Sequence, residues 1–181
     1  MRIKKKFNIL SNNFIALRNY HGKRTTLSNK PSYIWIEPTN NCNLKCIMCP
    51  TGTGMVDVDK GFMDFTLYKR IIDEISDYAS AVTLAISGES LLHSDFFKMI
   101  EYASSNGTKV LLNTNATLLT KEKADLLLDS GLSEVSFAFD GIKKSMYEKA
   151  RVGANYEKTL NNILYFLKQK KNKKIKLPYS I

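Results

Sequence analysis

A chain of 181 residues can bury one sizeable core, and its 44% hydrophobic and 24% charged content is ordinary for a soluble globular protein. No apolar run approaches the ~18–20 residues of a membrane-spanning helix, which sets that class aside. The net charge of +10 sits at the ends: residues 1–36 carry eight Lys/Arg and no acid, residues 168–181 carry six Lys and no acid, and the interval between them is near −4.

No basic patch on the fold is therefore expected; the two basic ends could touch nucleic acid or anionic lipid, but solvated tails are the preferred reading and no nucleic-acid partner is expected. Met1 to Leu10 has too short an apolar stretch for a signal peptide. Reduced thiols and the lack of an export signal point to the cytoplasm.

Residues 1–30 mix Lys, Arg, Asn and Ser with scattered apolar positions. They read as a basic N-terminal arm of weak structure, with no more than a short amphipathic turn around Phe14, Ile15, Leu17 and Arg18. Pro31 closes the arm, and residues 31–181 form the core. Tyr33 to Glu37, rich in β-branched and aromatic residues and stopped by Pro38, is the first strand.

The loop that follows holds every cysteine of the chain: Cys42, Cys46 and Cys49, followed by Pro50. Thiolates are soft ligands that suit iron–sulfur clusters, zinc or Cu(I). Three of them in one loop can converge on a small inorganic object but cannot close a tetrahedral site. A fourth position must come from elsewhere or stay open, and an open position is where chemistry happens. A disulfide would leave one thiol over, and structural zinc would need a fourth ligand that His21 and His93 are not spaced to give.

A helix is predicted from Phe65 to Ala79, with Leu67, Ile71, Ile75 and Tyr78 recurring on one face. Val82 to Ile86 is the second strand, ending in Ser87-Gly88-Glu89-Ser90. Ser94 is placed to cap a helix with Phe96, Phe97, Ile100 and Ala103 inward. Asn106-Gly107 ends that helix, and Lys109 to Asn113 is the third strand, leading into Thr114-Asn115. Thr120 caps the next helix, with Ala124, Leu127 and Leu128 inward and Gly131 past its end. Glu134 to Phe139 is the fourth strand, followed by Asp140. A short helix from Ser145 to Ala150 precedes Arg151-Val152-Gly153. A longer helix then carries Tyr156, Leu160, Ile163, Leu164 and Leu167 on one face, and Lys174 to Ile181 opens a fifth strand.

Alternating strands and helices mean parallel βαβ units in an α/β fold. A doubly wound sheet and a barrel share this pattern. Both place ligand chemistry at the C-terminal ends of strands, where the polar clusters lie: the cysteine loop, Ser87 to Ser90, Asn113 to Asn115, and Asp140.

Cys-x3-Cys-x2-Cys between a strand and a helix, with Glu37-Pro38-Thr39-Asn40-Asn41 before it, resembles the opening of the radical S-adenosylmethionine (SAM) superfamily. It is most similar to the members that carry a SPASM or twitch domain, such as sulfatase-maturing enzymes and peptide maturases. The resemblance implies a partial (β/α)6 TIM-like barrel of about five βα units with outer helices, truncated in the fifth strand. It implies a [4Fe-4S] cluster on Cys42, Cys46 and Cys49, whose open iron takes the amino and carboxylate groups of SAM. It further implies that Gly88 and Glu89 lie at the methionine end of SAM, Ser136 at its ribose and Arg151 at its carboxylate. By the same resemblance Met48 would stand at the adenine, where the family often has an aromatic, or be simple core, and Asn115 would belong to the same cofactor-binding set.

The reaction implied is formation of a 5′-deoxyadenosyl radical that abstracts hydrogen from a substrate. The expected substrate is a peptide or protein first and a sugar or small molecule second, and the electron donor is a flavodoxin- or ferredoxin-like protein. Ser87 and Ser90 depart from the family's Gly-Gly-Glu-Pro, and neither a sixth strand nor auxiliary-cluster cysteines are present. The rival readings are a non-catalytic metal-binding or interaction module and, more weakly supported, a thiol redox protein on Cys46 and Cys49.

Overall fold

The computed structural model describes residues 2–180, and Met1 and Ile181 lie outside them. Five strands pair in parallel in the order of the sequence: β1 (Tyr33–Ile36), β2 (Ala81–Leu84), β3 (Lys109–Thr114), β4 (Glu134–Phe137) and β5 (Tyr179–Ser180). A doubly wound sheet reverses its order at a switch point, whereas each crossover here advances one strand in the same direction. The sheet is a partial TIM-like barrel.

Helices α3 (Phe65–Ile75), α4 (Phe96–Ser105), α5 (Lys121–Asp129) and α7 (Tyr156–Asn172) follow the first four strands in turn. Their apolar stripes close on Ile36, Val82, Leu84, Val110, Leu112 and Val135, one face of the sheet, to make the core. Side chains alternate along a strand, so Trp35 between the inward Ile34 and Ile36 points to the concave face, where it stays 60% exposed.

Several sequence expectations shift by one helical position. The buried stripe of α3 is Tyr68, Ile72 and Ile75, with Leu67 exposed. In α4 Asp95, not Ser94, stands at the N-cap; His93 Nδ1 accepts from the Asp95 N–H at 3.0 Å, and Met99 is buried on the face where Phe97 is only partly so. In α7 Thr159, Ile163 and Phe166 are buried, while Leu164 is 51% exposed. Phe166 meets Phe137 edge to face at 5.4 Å, and this contact sets the rotation of the helix.

The largest departure lies at the start. Where composition suggests a weakly structured arm, Arg2–His21 is a 20-residue helix, α1. Side-chain amides hold it: Asn12 Nδ2 donates to the Lys30 carbonyl at 3.0 Å and its Oδ1 accepts from the Lys30 N–H at 2.8 Å, while Asn19 Nδ2 donates to Asn29 at 2.8 Å. Lys5 Nζ donates to Thr108 Oγ1 at 3.2 Å and to the Asn106 carbonyl.

Tyr147 on α6 (Lys144–Ala150) is fully buried against Phe139 and Tyr156, and among the described residues its hydroxyl has no partner of hydrogen-bonding geometry, the neighbouring Thr159 hydroxyl donating instead to the Asn155 carbonyl at 2.7 Å. Burial pushes its phenol above the ordinary value. Tyr147→Phe is expected to leave stability unchanged or to raise it by about 1 kcal/mol, because an unpaired buried hydroxyl costs free energy. Thermal unfolding checks this, and a loss larger than that would mean the hydroxyl is satisfied in solution.

Candidate cluster and cofactor site

A cavity of about 520 Å³ opens at the C-terminal ends of β1 to β4. Cys42, Cys46 and Cys49 line it together with Met48 of the same loop, Gly88, Glu89 and Asn115 from two further strand ends, and Arg151 from the segment after α6. Ser136 is half-buried and pairs in register with Asn113, which does line the cavity. Trp35, Ile86 and Ala138 also line it, and sequence reasoning assigned none of them to the site. For Trp35 the signal was present, since strand alternation turns it away from the helices.

The cysteine loop is held from several sides. The Lys45 N–H donates to the Val152 carbonyl at 2.9 Å and the Ile47 N–H to the Ala150 carbonyl at 3.0 Å, tying the loop to the segment that carries Arg151. Gly52 in α2 (Pro50–Thr53) lies so close to Cys46 that a Cβ there would meet its backbone N at 2.8 Å. The Glu37 carboxylate accepts from the Ser87 N–H at 2.7 Å and joins the ends of β1 and β2. Ser90 is buried and its hydroxyl donates to the Leu84 carbonyl at 2.7 Å, so the serine has its own bond in this turn.

Glu89 is 2% exposed, and its carboxylate accepts from the Thr114 hydroxyl (2.8 Å), the Asn115 N–H (2.8 Å) and the Leu91 N–H (3.2 Å). Burial pushes its carboxyl up, against those three donors and Lys123. Both oxygens are engaged within the protein, so Glu89 fixes the wall of the cavity by holding the backbone of Asn115. The Asn115 amide then reaches Asn43 Oδ1 at 3.2 Å and comes within 3.9 Å of Cys42 Sγ. Beside it Ala116 takes a left-handed φ of 57°, held by Asn162 on its carbonyl at 3.0 Å.

Arg151 Nη1 lies 3.8 Å from Cys46 Sγ, and its Nε donates to Asp140 Oδ2 at 2.8 Å. Asp140, at the end of β4, thus orients the guanidinium with one edge toward the thiol. Burial first, then Glu89, Cys46 and Cys49, push the Cys42 thiol up, against an N–H from Leu44. A cationic centre would supply the charge that favours its thiolate.

The donor set discriminates between metal groups. Three thiols share one wall, yet among the described residues no three His, Cys, Asp or Glu side chains are gathered as ligands of a single ion. Three soft thiols lining one cavity suit an iron–sulfur cluster, and the polar groups that line it with them suit a zwitterionic ligand. His93 is remote from them, with Nε2 at 2.8 Å from the Met63 carbonyl, so it offers no fourth ligand for zinc.

A partial βα barrel with three loop thiols at the mouth of its first strand defines a thiolate-cofactor protein of the barrel class. The Radical SAM superfamily profile matches residues 36–177, and the chain belongs to that superfamily of enzymes, whose members use a [4Fe-4S] cluster and SAM. It is 31% identical over 138 residues to an AdoMet-dependent heme synthase of Methanosarcina barkeri, covering 76% of this chain and 39% of that protein. It is 26% identical over 121 residues to a PqqA peptide cyclase of Bradyrhizobium diazoefficiens, covering 66% of this chain and 31% of the relative. Among solved structures, Streptococcus suis SuiB bound to S-adenosylmethionine aligns with a TM-score of 0.68 at 18% identity, over 86% of this chain and 35% of that one. The chain thus spans less than half the length of these relatives.

Proposed function

We propose that this chain binds a [4Fe-4S] cluster on Cys42, Cys46 and Cys49 and SAM in the cavity beside it, as the core of an enzyme acting on a peptide or protein. The observation that carries this reading is the convergence of the three thiols with Met48, Gly88, Glu89, Asn115 and Arg151 on one cavity. The chemistry such a cluster supplies when bound is one-electron reductive cleavage of SAM to a 5′-deoxyadenosyl radical, which abstracts hydrogen from the substrate.

The protein's own part is to hold and to exclude. Met48, 56% exposed on the cavity wall, offers a soft, polarisable surface for adenine. The Arg151 fork binds a carboxylate in the present fold, that of Asp140, and exchange of this partner for the carboxylate of SAM gives Arg151 its role. Ser136, on β4 in register with the cavity-lining Asn113, would stand at the ribose, and Gly88, packed on the Thr39 and Asn41 carbonyls, would lie at the methionine end.

Two lines support a peptide or protein substrate: the peptide cyclase among the relatives and a mycofactocin maturase of Mycolicibacterium smegmatis, 27% identical over 121 residues. A flavodoxin- or ferredoxin-like donor in the cytoplasm supplies the electron. In this reading residues 31–181 are the catalytic core and residues 1–30 a basic arm that precedes it.

Anaerobic reconstitution with iron and sulfide, followed by EPR of the reduced protein with and without SAM, tests the proposal. A [4Fe-4S]+ signal that changes shape on adding SAM is expected. A cluster indifferent to SAM, or zinc in place of iron, would leave a metal-binding module. Arg151→Lys should keep the cluster but raise the SAM concentration needed for the spectral change by roughly tenfold to a hundredfold, since a bidentate charged pair becomes a single contact. An unchanged SAM titration would remove Arg151 from the site.

A further inference from the structure

Helix α1 is amphipathic the wrong way round for a helix packed on a body. The side turned to the barrel is held by polar groups: Lys5, Asn12 and Asn19 make hydrogen bonds there, with Ile9, Ile15 and Ala16 half-buried among them. The side turned to solvent is apolar, with Ile3, Phe7, Leu10, Phe14 and Leu17 exposed by 86, 70, 68, 67 and 54%. Their spacing of four, three, four and three residues draws one continuous stripe along about 21 Å of helix. Five large exposed side chains in a row mark an interaction surface rather than ordinary scatter.

Charge decides what covers it. Lys4, Lys6 and Arg18 are exposed along the borders of the stripe, and residues 1–36 contain no acid. The groups that α1 touches, Ser32, Ser80, Asn106 and Thr108, precede β1, β2 and β3, so the helix lies across the N-terminal end of the barrel. The last turn of α7, with Lys170 and Lys171, and the exposed Lys174 and Lys176 lead into β5 and reach the same end. Two basic clusters far apart in sequence thus lie at the same end of the barrel. Of the acids near this end, Asp129 pairs with Lys173 at 2.7 Å, Glu134 is half-buried at the start of β4, and the exposed Asp77 stands beside Lys5 on the barrel side of α1, away from the stripe.

We propose that α1 lies in the interface of an anionic lipid bilayer, with its apolar stripe among the acyl chains and Lys4, Lys6 and Arg18 at the headgroups. An interfacial helix of this kind combines buried apolar area with attraction to anionic lipid, and neither alone suffices. A second copy of the chain is the rival occupant, because the spacing also suits a helix pair. Self-pairing would bring Lys4, Lys6 and Arg18 against their own copies with no carboxylate to meet them, and charge complementarity selects the bilayer. In this pose the cysteine cavity, at the opposite end of the strands, faces away from the membrane and stays open to substrate.

The test is co-sedimentation of the purified chain with vesicles of phosphatidylcholine alone and with about 30% phosphatidylglycerol added. It needs no cluster, so it is independent of the function proposed above. The anionic vesicles are expected to bind at least tenfold more protein, and binding should fall as salt is raised from about 0.1 M to about 0.5 M. Phe7→Ser with Phe14→Ser should lose roughly tenfold or more through the stripe, and Lys4→Gln, Lys6→Gln and Arg18→Gln together a similar factor through charge. These side chains are exposed, so both variants should keep the parent's circular dichroism and melting curve.

Equal sedimentation with neutral and anionic vesicles overturns the proposal. So does retention of binding by the folded Phe7→Ser, Phe14→Ser variant. A chain that ignores vesicles but forms a dimer broken by that variant overturns it in favour of self-association.

Discussion

Cys46→Ala is expected to take iron content after reconstitution from about four atoms per chain towards zero, with loss of the visible and EPR signatures. Cys46 is the buried member of the three, central in the loop and the one whose sulfur faces Arg151 at 3.8 Å. Two remaining thiolates cannot hold a cubane against its loss to solvent. The loop itself should survive, because its geometry rests on backbone bonds from Lys45, Ile47 and Cys49 rather than on the sulfur. Unfolding free energy of the metal-free protein should therefore change by no more than about 1–2 kcal/mol. Iron and sulfide analysis alongside a denaturant melt separates the two effects. A Cys46→Ala protein that loads iron like the parent would take the cluster away from this loop.

Gly88→Ala should be the most damaging single-atom addition in the chain. A Cβ at Gly88 would lie 2.1 Å from the Thr39 carbonyl oxygen and 2.6 Å from that of Asn41. Both are backbone atoms of the segment that leads into Cys42, and the Asn41 carbonyl already accepts from the Glu89 N–H at 2.8 Å. To make room the turn after β2 must retreat, breaking that bond and drawing the Glu89 carboxylate off Thr114 and Asn115. Overpacking plus stranded buried donors amounts to about 3 kcal/mol or more, or roughly 6–12 °C in Tm for a chain of this size. Gly61→Ala is the control: nothing lies within 4 Å of a Cβ there, and the change should stay within about 0.5 kcal/mol. Equal melting of the two variants would show that the packing of Gly88 on the cysteine segment is not what holds this site together. Where Gly88→Ala still folds, it should also have lost the response of the cluster to SAM.

Much of the fold could be read from local signals. The Thr120 cap, the buried Ala124, Leu127 and Leu128, and Gly131 with φ of 83° just past α5 appear where turn and cap chemistry place them. Such features depend on a few neighbouring residues. Stripes were read less well, since α3 and α7 carry more apolar positions than one face can bury. Which of them go inward depends on contacts such as Phe166 on Phe137. The arm was misread for a related reason: its larger apolar stripe does not point to the core, and the amides that dock it bond to Lys30, Ser32 and Asn29, whose positions only the fold supplies.

By itself the sequence determined the ligand chemistry, three soft thiolates in one polar loop, and the alternation of strand and helix that demands a parallel sheet. It also placed Gly88, Glu89, Asn115 and Arg151 at strand ends or beside them. Only the tertiary structure decided that the sheet winds in one direction, that Trp35 enters the cavity, and that Arg151 meets Cys46 across 105 residues of chain. It alone turned Glu89 inward onto Thr114 and Asn115, and the apolar side of α1 outward. Spacing along a chain fixes which groups can act together over one or two turns. Which distant groups do so is settled by burial and hydrogen-bond satisfaction across the whole fold, and those have no local signature.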